Sequence, residues 1–322
     1  MKGEKNGTFV ISLDFELLWG VHDGKTKESF RENIVGARKA VEEMLELFDR
    51  YQIHATWGVV GMLMAQSREE ILQYSPELRP QYENPKLSAY QYINQVGDCE
   101  DNDISHLAYS LIAKINTHRN QELASHTFSH YYCKAPGQNV EAFSADLAAA
   151  QAIARAKFGR ELKSLILPRN HFVKDYLDAA YEQGFSVIRG NPPMYAYNTG
   201  TKIAKALRLL DTYFCVCGRK SYTLKDQANK KIINIQASSF FRKYNTSLSF
   251  LEKQKVAYIK REMTYAAKKG QIYHLWWHPH NVALHREQCM AQLEEIFQHY
   301  VYLKEKYGFE SKTMYETSEE NR

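Results

Sequence analysis

Short apolar runs alternate with longer stretches of helical spacing along this 322-residue chain. Residues 8–13, TFVISL, form an unbroken β-branched and apolar run that ends on acidic residues. Such a run reads as a buried strand delivering carboxylates at its C-terminal end. Residues 32–50 place Ile34, Ala37, Val41, Met44, Leu45, Leu47 and Phe48 at helical spacing, and residues 53–60 read as a second strand. The alternation then recurs. Strands are predicted over 121–125, 162–167, 185–188, 231–236 and 271–277, and helices over 140–158, 173–183, 203–210, 250–269 and 286–307. Gly159, Gly184, Gly270 and Gly308 stand where these helices stop, and Ser249 with Glu252 has the spacing of a capping box. Residues 62–118 break the rhythm: a helical piece at 68–72, a polar stretch, then helical spacing over 101–114. Residues 75–100 are predicted to lie over a barrel mouth. The closing SKTMYETSEENR is polar, and its last residues are expected to be mobile.

Strands and helices in alternation predict an α/β fold with a mostly parallel sheet, either a barrel or a doubly wound sheet. The strands at 8–13, 121–125, 162–167 and 271–277 all lead into ionisable residues. In a barrel those ends converge on one face, where active sites sit, so the barrel is preferred. A single domain over 1–322, with an insertion at about 62–118, is expected.

Composition narrows the function classes. With 44% apolar and 25% charged residues the chain is an ordinary globular protein. Its 42 basic and 37 acidic residues are interspersed and leave a net charge of +5, too even a balance for a nucleic-acid or anionic-membrane partner. The 22 Tyr and 15 Phe suit a sugar-facing cleft as readily as a core. The five cysteines are odd in number and contain no CxxC pair, which predicts free thiols in a reducing compartment. Asp14 and Glu16 interrupt the N-terminal apolar run, so no signal peptide is expected. No stretch approaches the ~18 apolar residues of a membrane span, and a cytoplasmic location is expected.

Four short motifs carry chemistry. In His126-Thr127-Phe128-Ser129-His130 the imidazoles at i and i+4 would share one face of a helical turn and reach one cation. Alone, such a pair is more often an ordinary solvated or core-packed one. In Asp14-Phe15-Glu16 the two carboxylates of a continuing strand point to the same side, and a bound cation would relieve the cost of burying them. Together these supply two histidines and a carboxylate for a divalent metal, with the second carboxylate as general base. Leu275 to His278 is an apolar strand ending in a histidine able to donate a proton; His274 and His280 compete for that role. In Pro168-Arg169-Asn170 an arginine at a strand end could hold a carboxylate bidentately.

The order of these motifs resembles the polysaccharide deacetylase (NodB-homology) family, carbohydrate esterase family 4. The resemblance runs from Asp14 to His278. It implies a distorted (β/α)7 barrel and metal-dependent removal of N- or O-linked acetyl groups from a sugar or glycan precursor. It makes Asp14 the base, His278 the acid and Arg169 the residue that orients Asp14. By the family's Asp-x-Glu variant, Glu16 becomes the metal ligand with His126 and His130. Phe15 replaces the more usual second aspartate, and the arginine motif departs from the family order Arg-x-Pro. Ile53 to Gly61 is similar to a barrel strand of the family. One divalent metal is implied, zinc first, with cobalt, manganese or nickel as alternatives. Trp19, Tyr131, Asn170, Trp277 and His280 are the expected substrate contacts.

Two other readings remain at this stage. One is a catalytically silent barrel that binds a glycan or partner. The other is a hydrolase of a non-sugar amide. A His-x-His metal amidohydrolase is disfavoured, because Asp14-Phe15-Glu16 occupies the end of the first strand.

Overall fold

The computed structural model describes residues 6–171, 173–227 and 230–320. The chain runs β1 (Thr8–Phe15), α1 (Arg31–Tyr51), β2 (Ala55–Val59), α2 (Arg68–Tyr74), α3 (Tyr109–Thr117), β3 (Gln121–Ser125), α4 (Val140–Phe158), β4 (Ser164–Ile166), α5 (Leu177–Glu182) and β5 (Val187–Arg189). It continues with α6 (Tyr195–Asn198), α7 (Lys202–Phe214), β6 (Ile233–Asn234), β7 (Ser239–Phe240), α8 (Ser249–Lys269), β8 (Ile272–Trp277), α9 (Pro279–Val282), α10 (Arg286–Tyr307), β9 (Glu310–Lys312) and α11 (Met314–Glu319).

Every ladder between these strands is parallel, in the order β6-β5-β4-β3-β2-β1-β8-β7. The segment from β6 to β7 closes the sheet. Its first half bonds to β5: the Ile233, Ile235 and Ala237 N–H groups donate to Ser186, Ile188 and Gly190. Its second half bonds to β8, where Ser238 and Phe241 donate to His274 and Trp276. β6 and β7 therefore act as one interrupted strand, and seven strands complete the ring.

Strand parity sorts each side chain. On β1, Phe9, Ile11, Leu13 and Phe15 point outward into the core beneath the helices. Val10 points inward, packing with Ile166, Val187, Ile233, Ile235 and Ile272 in the barrel lumen. Ser12 and Asp14 share its parity, so β1 carries polar groups up the lumen toward its C-terminal end. The long covering helices α1, α4, α8 and α10 stop on residues in the left-handed region. Gly159, Gly270 and Gly308 have φ of 61°, 59° and 66°, and Gln52 takes the same role after α1 with φ 52°.

Several local expectations change. The predicted helix over 101–114 begins only at Tyr109. Ser249 does not cap α8: it lies inside the helix, and the Glu252 carboxylate instead accepts from Asn245 N–H and pairs with Lys255. A complete capping box forms at Thr313 and Glu316, where each side chain accepts the other's backbone N–H. The polar C-terminal stretch is structured through residue 319; the expected mobility of the very last residues concerns 321–322, which lie outside the described residues. β9 pairs with Thr8 to Val10 of β1, and fully buried Met314 plugs the bottom of the lumen. A truncation ending at Phe309 should therefore expose the lumen's apolar floor and strip the lower half of β1 of a partner. We expect it to lower the thermal midpoint by more than 10 °C, or to leave the protein insoluble, because burying one large apolar side chain is worth about 1.5–3 kcal/mol before the ladder is counted. Differential scanning calorimetry measures this, and an unchanged midpoint would contradict the plug.

Residues 60–120 fill the long connection between β2 and β3. They bond to the loops following β1 and β3, through Leu18 N–H to Ser105, Lys27 to the Gln95 carbonyl and Asp103, and Glu83 N–H to Pro136. Both loops lie at the end of the barrel toward which Asp14 points. No described helix is long and apolar enough to cross a membrane. All five cysteines are free.

Candidate active site

Four strands send side chains to one point. Asp14 and Glu16 come from the end of β1 and lie only 3% and 5% exposed. His126 and His130 follow β3, Arg189 ends β5, and His278 follows β8. Burial alone would raise the Asp14 carboxyl, but Arg189, His126 and His278 together outweigh it and hold it below the ordinary carboxylate range. The Arg189 guanidinium grips both carboxylate oxygens, at 2.6 and 2.7 Å, and also reaches Ser12 Oγ at 3.0 Å. Asn170 Oδ1 accepts two further bonds from the same guanidinium, at 2.7 and 3.2 Å. Ser12 is held in turn by His274 Nε2 at 2.8 Å. His274 is buried and driven down to about 3, so it is neutral and serves as a fixed acceptor for the Ser12 hydroxyl.

The two histidines do not lie on a helical turn, as their spacing predicted. Residues 126–133 form a loop, with Thr127 at φ 63° and His130 at φ 55° in the left-handed region. Asp146 of α4 holds that loop. Its carboxylate accepts from Phe128 N–H at 2.6 Å and from Ser129 N–H at 3.1 Å, and it pairs with the Ser129 hydroxyl. Burial pushes the Asp146 carboxyl up to about 6. Gly61 lets the loop come close, since a Cβ there would meet Phe128 Cα at 2.9 Å.

The loop brings His126 Nε2 to 3.2 Å and His130 Nε2 to 3.1 Å from Glu16 Oε2. One ligand atom from each of Glu16, His126 and His130 falls within 4.8 Å of the other two. The chemistry of these donors fits a divalent cation. His126 Nδ1 faces the Ile166 carbonyl at 2.9 Å and must donate to it. In the neutral imidazole Nε2 then presents a lone pair to a carboxylate oxygen, and a cation between them resolves that opposition. His130 is driven down to about 4 by burial against the pull of Glu16, so it is neutral near pH 7. Burial opposes the charge on Glu16, yet the imidazoles of His278, His126 and His130 around it hold it well below the usual carboxylate range.

His278 stands at the rim. Its Nε2 lies 3.6 Å from Asp14 Oδ2 and 3.7 Å from Glu16 Oε1, while Nδ1 meets the Asn281 amide at 3.1 Å. His280 is buried behind it, with Nδ1 3.9 Å from Glu16 Oε1, and burial drives it down to about 4.

The remaining sequence expectations separate. Arg169 does not reach Asp14. It sits at φ 57°, pairs with Asp23 at 2.6 Å and stacks on Tyr132. Arg189 holds Asp14 in its place. Trp19, Tyr131 and Trp277 are core residues: Trp19 Nε1 donates to the His106 carbonyl, the Tyr131 hydroxyl to the Asn139 carbonyl, and Trp277 packs against Met44 and Phe241. Asn170 touches Arg189 from beside the cleft. The aromatic at the mouth is Trp276, with Arg189 over its ring at 4.2 Å, Phe240 at 4.6 Å and His278 at 5.5 Å. Strand parity was the signal for both residues that the motifs missed. Residues 274, 276 and 278 share the lumen face of β8, as 187 and 189 share that of β5.

No protein-family model matches the sequence, and no curated protein matches it. Solved structures do match. A protein assigned as a polysaccharide deacetylase from Mycobacterium smegmatis is 11% identical at TM-score 0.59, over 100% of this chain and 92% of its own. The Puue allantoinase is 10% identical at TM-score 0.57, over 99% of this chain and 91% of its own. A GH57-type branching enzyme from the archaeon Pyrococcus horikoshii is 11% identical at TM-score 0.56, over 98% of this chain and 70% of its own. At these identities the likeness is one of fold, and that fold is the curled parallel α/β barrel of the polysaccharide deacetylase type.

Proposed function

We propose that the protein is a metal-dependent hydrolase that removes an acetyl group from a sugar or glycan precursor. The observation that carries this reading is the convergence of Glu16, His126 and His130 beside an arginine-clamped Asp14 at the C-terminal end of the barrel. Glu16, His126 and His130 would hold one divalent cation, zinc being the first candidate. When bound, that cation supplies Lewis acidity to an acyl carbonyl and eases deprotonation of water. Asp14, kept ionised and oriented by Arg189, takes the proton from the attacking water. His278, with Nε2 facing the reacting space, gives a proton to the departing amine or alcohol. Arg189 and Asn170 are positioning residues, and Trp276 offers a flat apolar face at the mouth for a sugar ring. A cytoplasmic setting belongs to the same proposal.

Metal analysis of the purified protein tests the site. We expect about one divalent metal per chain, lost in His126→Ala/His130→Ala. Acetate release from acetylated sugars should stop with a chelator and return when zinc, cobalt or manganese is restored. If the wild type takes up none of these metals, the hydrolase reading fails and the barrel is better pursued as a binding protein. The likeness to an allantoinase supports a second reading, hydrolysis of a non-sugar C–N bond. Turnover of small cyclic amides without release of acetate from any sugar would favour it.

A further inference from the structure

Beside the Asp14 site lies a cavity of about 270 Å³, with Asn170 and Trp276 in the shared wall. Its lining carries five basic side chains, Arg169, Arg208, Lys220, Arg242 and Lys255. Three have acidic partners. Arg169 pairs with Asp23, Lys220 with Asp211, and Lys255 with Glu252. Arg208 and Arg242 pair with no described carboxylate. Arg208 is steadied by the Ala196 and Thr199 carbonyls. Arg242 gives Nε–H to Thr212 Oγ1 at 2.8 Å and lies over the Phe240 ring at 5.8 Å, and its two terminal nitrogens make no hydrogen bond to a described residue. Burial lowers the pKa of Arg242, and the like charge of Arg208 adds to that effect. Two guanidinium groups without carboxylate partners on one cavity wall repel each other, and an anion between them would relieve that repulsion.

We propose that this cavity binds a phosphoryl group between Arg208 and Arg242. A carboxylate would neutralise one of the two charges, whereas a phosphate monoester carries about −1.5 to −2 near pH 7 and offers three acceptor oxygens to the guanidinium forks. Trp276 borders both the cavity and the reacting groups, so one ligand can lay a sugar ring on the indole and its phosphoryl group on the arginines. The substrate is then a phosphorylated acetyl-sugar. The phosphoryl site stands on the cavity alone; its assignment to the substrate rests on the hydrolase reading above.

Calorimetric titration of inorganic phosphate and pyrophosphate at constant ionic strength tests the site. The proteins are wild type, Arg208→Gln, Arg242→Gln and Arg242→Lys, each checked by thermal melting. We expect saturable binding to the wild type, weakened about tenfold or more in both glutamine variants, with part retained in Arg242→Lys. Arg208 is half-exposed on α7, so its variant keeps the test open if Arg242→Gln misfolds. Absence of saturable binding to the wild type, or equal affinity in folded Arg208→Gln, would overturn the proposal. Competition by N-acetylglucosamine 1-phosphate against uridine diphosphate N-acetylglucosamine then separates a monoester from a diphosphate ligand. Acetate release should favour whichever of these competes over free N-acetylglucosamine, and the preference should shrink in Arg208→Gln. Phosphate binding without acetate release from any sugar would leave the anion site standing and remove the deacetylase reading.

Discussion

Asp14→Asn is expected to lower acetate release by about 10²–10⁴-fold, the usual contribution of a positioned general base. The change is nearly isosteric, but it removes the charge that Arg189 grips through a two-point guanidinium contact. An amide at position 14 cannot accept a proton from water, and its NH2 would face a guanidinium that also donates. Glu16, His126 and His130 are untouched by the substitution, so metal content should remain near that of the wild type. The decisive pair of measurements is acetate release under single-turnover conditions and elemental analysis of the same sample. Metal retained with activity lost places the base at Asp14. Activity within about tenfold of wild type would mean that another group takes the proton, Glu16 being the nearest alternative, and the roles of the two carboxylates would have to be exchanged.

The sequence carried much of this candidate site, and the misplaced side chains share one cause. The run TFVISL announced β1 because a strand buried on both faces has few ways to be encoded. Asp14, Glu16, His126, His130 and His278 stood out because ionisable residues at the ends of apolar strands are costly without a purpose. Arg169 was chosen as an arginine at a strand end and Trp277 as a ring near the cleft, and neither criterion says which way a side chain points. Pleat alternation sends Trp277 into the shell with Tyr273 and Leu275, and sends Trp276 and His278 into the lumen. The same rule carries Arg189 inward beside Val187, while Arg169 sits past the end of β4 on a residue in the left-handed region, where strand parity no longer applies. The His126–His130 loop was opaque for another reason. Its two left-handed residues are not glycines, and what holds them is Asp146, sixteen residues beyond His130. A tertiary contact of that kind leaves no local trace. Closure of the barrel was equally hidden, because β6 and β7 are two residues each and gain their order from β5 and β8.

Arg189→Met should show how far the Asp14–Arg189 pair serves stability and how far it serves chemistry. Arg189 is 1% exposed, and its guanidinium satisfies Asp14, Ser12 and Asn170 together. Removing it strands a buried carboxylate, and breaking a buried pair from one side costs about 3–5 kcal/mol. That is a large share of the 5–15 kcal/mol available to an ordinary domain. We therefore expect a lower urea midpoint and little acetate release. Replacing both partners, as Asp14→Leu/Arg189→Met, removes the stranded charge along with the pair. Well-packed apolar substitutes for buried ion pairs are often neutral. The double variant should accordingly recover most of the stability lost by the single one, while its activity stays at the level of Asp14→Asn. Stability regained without activity is what a pair retained for catalysis predicts. If the double variant is as unstable as Arg189→Met, the guanidinium acts chiefly through Ser12 and Asn170 as a structural tie between β1, β4 and β5, and its bond to Asp14 is incidental to orienting the base.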